Sequence, residues 1–251
     1  MSDSPLSKPN IVFLFSDTGG GHRSATEAIV EALQLEFGDR LTTQMLDIFK
    51  EIAPPPLNRM PDLYPYMVKV PRAWGTGFRL SNGPHRASLL VEPSYPYVRR
   101  GLRRMIQSCQ CDLIVSLHPL ANAPFLRALG TNRPPFITIV TDLATTHALW
   151  YHPAVDLCLV PTEEARQRAI KNYLQPDQVQ VVGLPVADRF CQPCGEKLEL
   201  RQRLGWPLDL PVAILMGGGE GMGPLEKTAQ VIAEAHLPLA LVIVAGRSRK
   251  L

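Results

Sequence analysis

At 251 residues, with 45% hydrophobic and 20% charged side chains, the chain has the make-up of a soluble globular protein of one large or two small domains. No apolar run approaches the roughly 20 residues of a membrane span, and the opening MSDSPLSKPN lacks the apolar core of an export signal. The chain is therefore expected to stay in the cytoplasm with its five cysteines as free thiols, its 24 prolines predict long, stiff loops, and its net charge of +3 is unevenly spread.

The first predicted strand, 11–16, is a short apolar run of the kind buried on both faces in a parallel sheet. Gly19, Gly20 and Gly21 follow it, and their missing Cβ atoms let the backbone turn sharply and a ligand come close. Ser24 and Glu27 have the spacing of a capping box, so a helix is expected over 24–37. Its N-terminus would aim free amides and a positive dipole end at the glycine turn. His22 stands at that mouth, where an imidazole near neutrality can take a proton from an attacking hydroxyl. A tight turn with a partly exposed histidine is the plainer reading. The segment is neither a dinucleotide fingerprint nor a P-loop.

Further strands are predicted at 43–49, 112–117, 136–141, 156–160 and 178–182, with helices at 97–108, 121–129 and 162–173. This alternation specifies an α/β fold with a parallel sheet covered by helices on both faces. Loops at the C-terminal ends of the strands carry the remaining candidate ligand groups, His118-Pro119 and Thr141-Asp142. Asp142 can orient His22 or another polar group, or it can cap a buried strand end. His118, before a proline, reads more as a loop-shaping residue than as a second base.

The segment 52–96 breaks the alternation and reads as a functional insertion. Between Leu57 and Arg104 there are nine basic residues, opposed only by Asp62 and Glu92 and interleaved with aromatics such as Tyr66, Trp74 and Tyr97. Such a mixture suits an anionic membrane surface or nucleic acid, and its bland alternative is a solvated basic helix face. Cys191 and Cys194 form a lone C-x-x-C, and without a second pair at suitable spacing no metal site is expected there.

After residue 207 the plan repeats. A strand at 211–216 runs into a second glycine cluster, Gly217, Gly218, Gly219, Glu220 and Gly221, then a helix at 225–236 and a strand at 239–245. Residues 1–207 are thus expected to form one domain and 208–251 the first βαβ unit of a second. A unit that small buries too little surface to close a core of its own, so the second domain is expected to be incomplete and this chain to be an inactive fragment.

Two glycine-turn halves joined by a linker look like a GT-B glycosyltransferase, with Rossmann-like domains. SDTGGGHRSATEAI at 16–29, SLHPLANAP at 116–124, VTDLATTHALWYHP at 140–153, VVGLPV at 181–186 and ILMGGGEGMGP at 214–224 resemble the monogalactosyldiacylglycerol synthase and diacylglycerol glucosyltransferase family. The loop at 64–82 is similar to that family's acceptor-side loop. The resemblance implies an inverting, membrane-associated enzyme that moves galactose or glucose from a UDP-sugar to diacylglycerol. It implies His22 as the base and Gly19–Gly21 facing the reaction centre with His118 and Asp142. The glycine cluster 217–221, with Glu220, would open toward the donor diphosphate. Tyr66, Trp74, Arg99, Arg100 and Trp150 would contact lipid. No metal, other cofactor, nucleic acid or protein partner is implied, and the enzyme would sit peripherally on the membrane surface. A related transferase or epimerase with another acceptor and a non-catalytic lipid-binding module are the competing readings.

Overall fold

The structure is a computed structural model and describes residues 8–18, 20–67, 71–219, 221, 223–246 and 248. Six parallel strands make the main sheet: β1 (Asn10–Phe15), β2 (Thr42–Asp47), β3 (Leu113–Ser116), β4 (Phe136–Ile139), β5 (Leu157–Val160) and β6 (Val179–Val181). Their spatial order is β2-β1-β3-β4-β5-β6. Chain order reverses between β1 and β3, which pair from Ile11↔Leu113 to Leu14↔Ser116. In open parallel sheets such a reversal leaves a crevice beyond the strands' C-terminal ends, where ligands bind. Both faces of β1 are covered, so Val12, Phe13, Leu14 and Phe15 are all buried and the strand reads as an unbroken apolar run.

One core, on the side of Val12 and Leu14, takes in Leu102, Phe125, Phe136 and Trp150. The other, around Phe13, packs Ala25 and Ile29 of α1 (Gly21–Phe37) against the sheet. Helix α1 starts three residues earlier than the expected capping box. Gly20 turns the chain at φ 81, a left-handed conformation that glycine enters without strain, and Ser24 N–H already donates to Gly20 O at 3.0 Å. Ser24 therefore sits within the first turn and caps nothing, while Glu27 faces Arg23.

Within the insertion the expected proline loop is confined to the stretch around Pro54–Pro56. From residue 60 the insertion is largely helical, with α2 (Met60–Met67), α3 (Pro71–Ser81) and α4 (Pro84–Val91), and it runs into α5 (Tyr95–Ser108). Proline lacks an N–H that the first turn would leave unbonded anyway, so Pro71, Pro84 and Pro96 begin helices rather than stiffen loops. The strand expected over 43–49 stops at Asp47 for a related local reason. Asp47 Oδ1 accepts from Phe49 N and Lys50 N and opens a π-helical turn, Ile48–Ile52. Helix α5 lies close on that turn through Gly101, where any Cβ would overlap the Ile52 carbonyl.

Helices α6 (Asn122–Leu129) and α7 (Glu163–Lys171) complete the layers around the sheet, and α8 (Lys197–Arg203) follows on the path out of it. Beyond lie β7 (Val212–Met216), α9 (Leu225–Glu234) and β8 (Ala240–Val244), with β7 and β8 paired in a separate parallel two-stranded sheet.

Candidate active site

His22 occupies the first turn of α1, directly beyond β1 and beside the loop that follows β3. Its ring lies edge-on to His118, with centroids 4.8 Å apart, and 5.7 Å from the ring of Trp150. Thr141 Oγ1 is 3.1 Å from His22 Nδ1. Residues from three separate loops, after β1, β3 and β4, thus meet at the reversal in strand order. Gly20 and Gly21 belong to the same corner; Gly19 lies outside the described residues. Helix α1 has neither a side-chain cap nor an acidic residue in its first turn, so the positive end of its dipole is left to the site.

Burial lowers the pKa of His22, while the Asp142 charge and the Leu117 carbonyl oppose that shift without reversing it. The imidazole is therefore neutral at pH 7 and has a lone pair to offer. His118, 5% exposed, is held well below the usual histidine range by burial and by its neighbour His22. Its Nδ1 accepts from Leu120 N at 3.3 Å, which leaves the proton on Nε2, facing Thr18 Oγ1 at 3.3 Å. His118 thus ties together two loops, in keeping with a loop-shaping residue.

Asp142 is exposed, which removes the alternative of a buried strand-end cap. It orients another polar group instead: Trp150 Nε1 donates to Asp142 Oδ2 at 2.7 Å. Trp150 corrects a further expectation. It is 0% exposed and packed in the core, and Asn122 Nδ2 donates to its carbonyl at 2.8 Å, so its indole has no lipid-facing surface. Tyr66 is exposed on α2, and Arg99 and Arg100 are exposed on α5. Trp74 falls within α3, but its side chain lies outside the described residues.

A cleft of about 720 Å³ opens from His22 alongside α1. Thr18, Thr141 and Asp142 stand at its head; Ala25 and Ala28 form one wall, and Val186 and Phe190 the other, with Tyr64 at the edge. The far wall was missed in the sequence because nothing local connects 184–190 to α1. Asp188 N donates to Glu31 Oε2 across the gap at 3.3 Å. Gly217, Gly218, Gly219 and Gly221 follow β7 and do not line this cleft; Glu220 lies outside the described residues. Cys191 and Cys194 are free and exposed, and among the described residues no three His, Cys, Asp or Glu side chains gather as metal ligands.

Beneath the glycine turn lies an ion cluster that the sequence did not announce. Asp17 binds Arg23, with Arg23 Nη2 at 3.0 Å from its Oδ2, and also pairs with Lys50. Asp17 N in turn donates to buried Asp47 at 3.0 Å. The Arg23 hydrogen bonds, helped by Lys50 and opposed by burial, hold the Asp17 carboxyl down at about 2. A carboxylate whose folded pKa is depressed contributes stability above its unfolded pKa and loses it as pH falls through the folded value. The charge-dependent part of the destabilisation caused by Asp17→Asn will therefore be full above about pH 5, shrink as pH falls, and vanish only below about pH 2. Urea midpoints of both proteins across that range check this; a difference independent of pH would mean that the cluster adds no charge-dependent stability.

The sequence pattern of the monogalactosyldiacylglycerol (MGDG) synthase family matches residues 22–186, which hold His22, His118, Thr141, Asp142 and Trp150. The chain belongs to the MGDG synthase family. It is 38% identical to the chloroplastic monogalactosyldiacylglycerol synthase of Spinacia oleracea over 98% of this chain and 49% of that protein. It is 37% identical to monogalactosyldiacylglycerol synthase 1 of Arabidopsis thaliana over 96% of this chain and 47% of that one. This member of the MGDG synthase family thus spans about half the length of the curated relatives it matches.

Among solved structures the chain is similar to an S. aureus MnaA–UDP co-structure (TM-score 0.53, 16% identity, 97% of this chain and 64% of that one). It is also similar to a putative UDP-N-acetylglucosamine 2-epimerase from Listeria monocytogenes (TM-score 0.51, 12% identity, 98% and 65%). These likenesses bear on the fold alone, which is α/β of the GT-B type.

Proposed function

We propose that the protein transfers a hexose from a UDP-sugar to diacylglycerol with inversion, and that this chain supplies the acceptor side and the base. The observation that carries the reading is His22, kept neutral at a helix N-terminus at the head of the cleft, within a chain of the MGDG synthase family. In the step itself the acceptor O–H gives its proton to His22. Its oxygen bonds to the anomeric carbon as the bond to the diphosphate breaks, and that electron pair leaves with UDP. Charge on the departing diphosphate is taken by backbone amides at helix N-termini, with the glycines after β7 (Gly217–Gly219 and Gly221) as the donor-side group and no metal in the scheme.

The insertion and the helix α5 that follows it are the proposed seat on the membrane. Leu80 on α3, Leu89 on α4 and Tyr66 on α2 are each about two-thirds or more exposed, at 68%, 73% and 67%. Arg99, Arg100, Arg103 and Arg104 are exposed on α5, and among the described residues no carboxylate pairs with them. Exposed apolar side chains together with exposed arginines fit an interface rich in anionic lipid, and no helix among the described residues is long and apolar enough to cross a membrane.

The direct test incubates the full-length gene product with vesicles of diacylglycerol and anionic lipid and with UDP-galactose or UDP-glucose. Monohexosyldiacylglycerol of inverted configuration is the expected product; its absence with both donors overturns the reading. Arg99→Glu/Arg100→Glu is expected to weaken vesicle co-sedimentation at low salt and to lose its effect as salt rises, because surface charges are screened beyond about 10 Å at 0.1 M. Equal sedimentation of both proteins at low salt would reduce these arginines to ordinary surface charge.

A further inference from the structure

Thr141 lies two residues past the end of β4 and reaches the cleft from the edge of the sheet, while His22 comes to the same place on α1. Their contact, Thr141 Oγ1 to His22 Nδ1 at 3.1 Å, joins two loops far apart in sequence. A hydroxyl both donates and accepts. It can donate to a bare Nδ1 and, by rotating its proton away, accept from a protonated one. The contact therefore survives the arrival of a proton on the ring. A carbonyl oxygen would serve only the protonated nitrogen, and a backbone N–H only the bare one.

The other groups facing His22 act differently: the Leu117 carbonyl also favours the protonated ring, but it can only accept. His118 stays neutral and is occupied by Leu120 N and Thr18. The Asp142 carboxylate is engaged by the Trp150 indole and acts on His22 through its charge. Glu27, Glu31 and Arg189 line the same cleft without a described side-chain bond to the ring.

We infer that Thr141 is a positioning residue for the base: it fixes the His22 ring plane and holds the imidazolium that forms when the acceptor hydroxyl gives up its proton. This rests on the reading of His22 as that base. Hydrogen bonds to a charged partner are roughly twice as strong as neutral ones, so the contact favours the protonated ring over the neutral one.

The test follows the His22 ring by NMR through a pH titration of this chain, in wild type, Thr141→Val and Thr141→Ser. Valine keeps the branched shape and removes the hydroxyl. The His22 pKa is expected to fall by about half a pH unit or more in Thr141→Val and to return in Thr141→Ser. In the full-length gene product, kcat is expected to fall on the order of tenfold with KM little changed, and serine is expected to restore it. An unchanged titration in folded Thr141→Val overturns the proposal; should valine fail to fold, Thr141→Ala is the second hydroxyl-free variant and is judged by the same titration. Since the titration needs no turnover, failure of the base reading shows up separately, as His22→Ala protein that still transfers hexose.

Discussion

Replacing His22 with alanine will cut hexose transfer by about 10²- to 10⁴-fold while leaving vesicle binding nearly intact. The size follows from the chemistry. A sugar or glycerol hydroxyl is a poor nucleophile at neutral pH, and a positioned general base contributes in that range when its pKa leaves it neutral at the working pH. Burial depresses the His22 pKa, so the ring is deprotonated across the neutral range and the acid limb of the rate profile should lie below the usual histidine value. Of the two side chains nearest the ring, His118 has its Nδ1 lone pair committed to Leu120 N, and Asp142 accepts the Trp150 indole N–H. Vesicle binding is spared because the exposed arginines stand on α5 and not in the first turn of α1. The measurement is kcat and co-sedimentation on the same preparation of the full-length gene product. Wild-type-like turnover would remove His22 from the mechanism. Equal losses in turnover and binding would make it a structural residue instead.

Much of this site could be read from the sequence because its parts lie at places dictated by topology. Strands buried on both faces read as continuous apolar runs, which placed His22, His118 and Thr141-Asp142 beyond the C-terminal ends of β1, β3 and β4. The reversal of strand order then gathers just those ends. Side-chain geometry was not legible. The helix start was misplaced because Ser24 and Glu27 fit a local capping pattern, while Gly20, able to turn left-handed, closes the turn before it. The prolines were expected to make long, stiff loops because a count carries no position; at the first turn of a helix the same residue costs no hydrogen bond. The Asp17 cluster needs Lys50 from the turn after β2, and the wall at 184–190 needs the whole sheet between it and α1. Such contacts leave no mark on any one stretch of sequence.

Trp150 shows the same limit most clearly, and it yields the second large effect. Its place as a lipid contact came from resemblance, whereas its burial comes from packing: it is 0% exposed among core residues that include Phe125, Phe136 and Val140. Trp150→Ala is therefore expected to destabilise the fold by about 3–5 kcal/mol, the usual cost of deleting a large buried aromatic, part of it from the cavity left behind. Trp150→Phe should cost much less, because most of the packing remains and Asp142, being exposed, is rehydrated when the indole N–H is lost. Urea midpoints and vesicle co-sedimentation on both variants separate the two roles. A core residue lowers the midpoint in the order Ala well below Phe, with binding lost only as folded protein is lost. A membrane contact would leave the midpoints alone and weaken sedimentation of the folded protein. The phenylalanine variant carries a further consequence, since Asp142 would then be free to turn into water. Its pull on His22 would weaken with distance and screening, and the His22 pKa should fall below the wild-type value even though nothing bonded to the ring has changed.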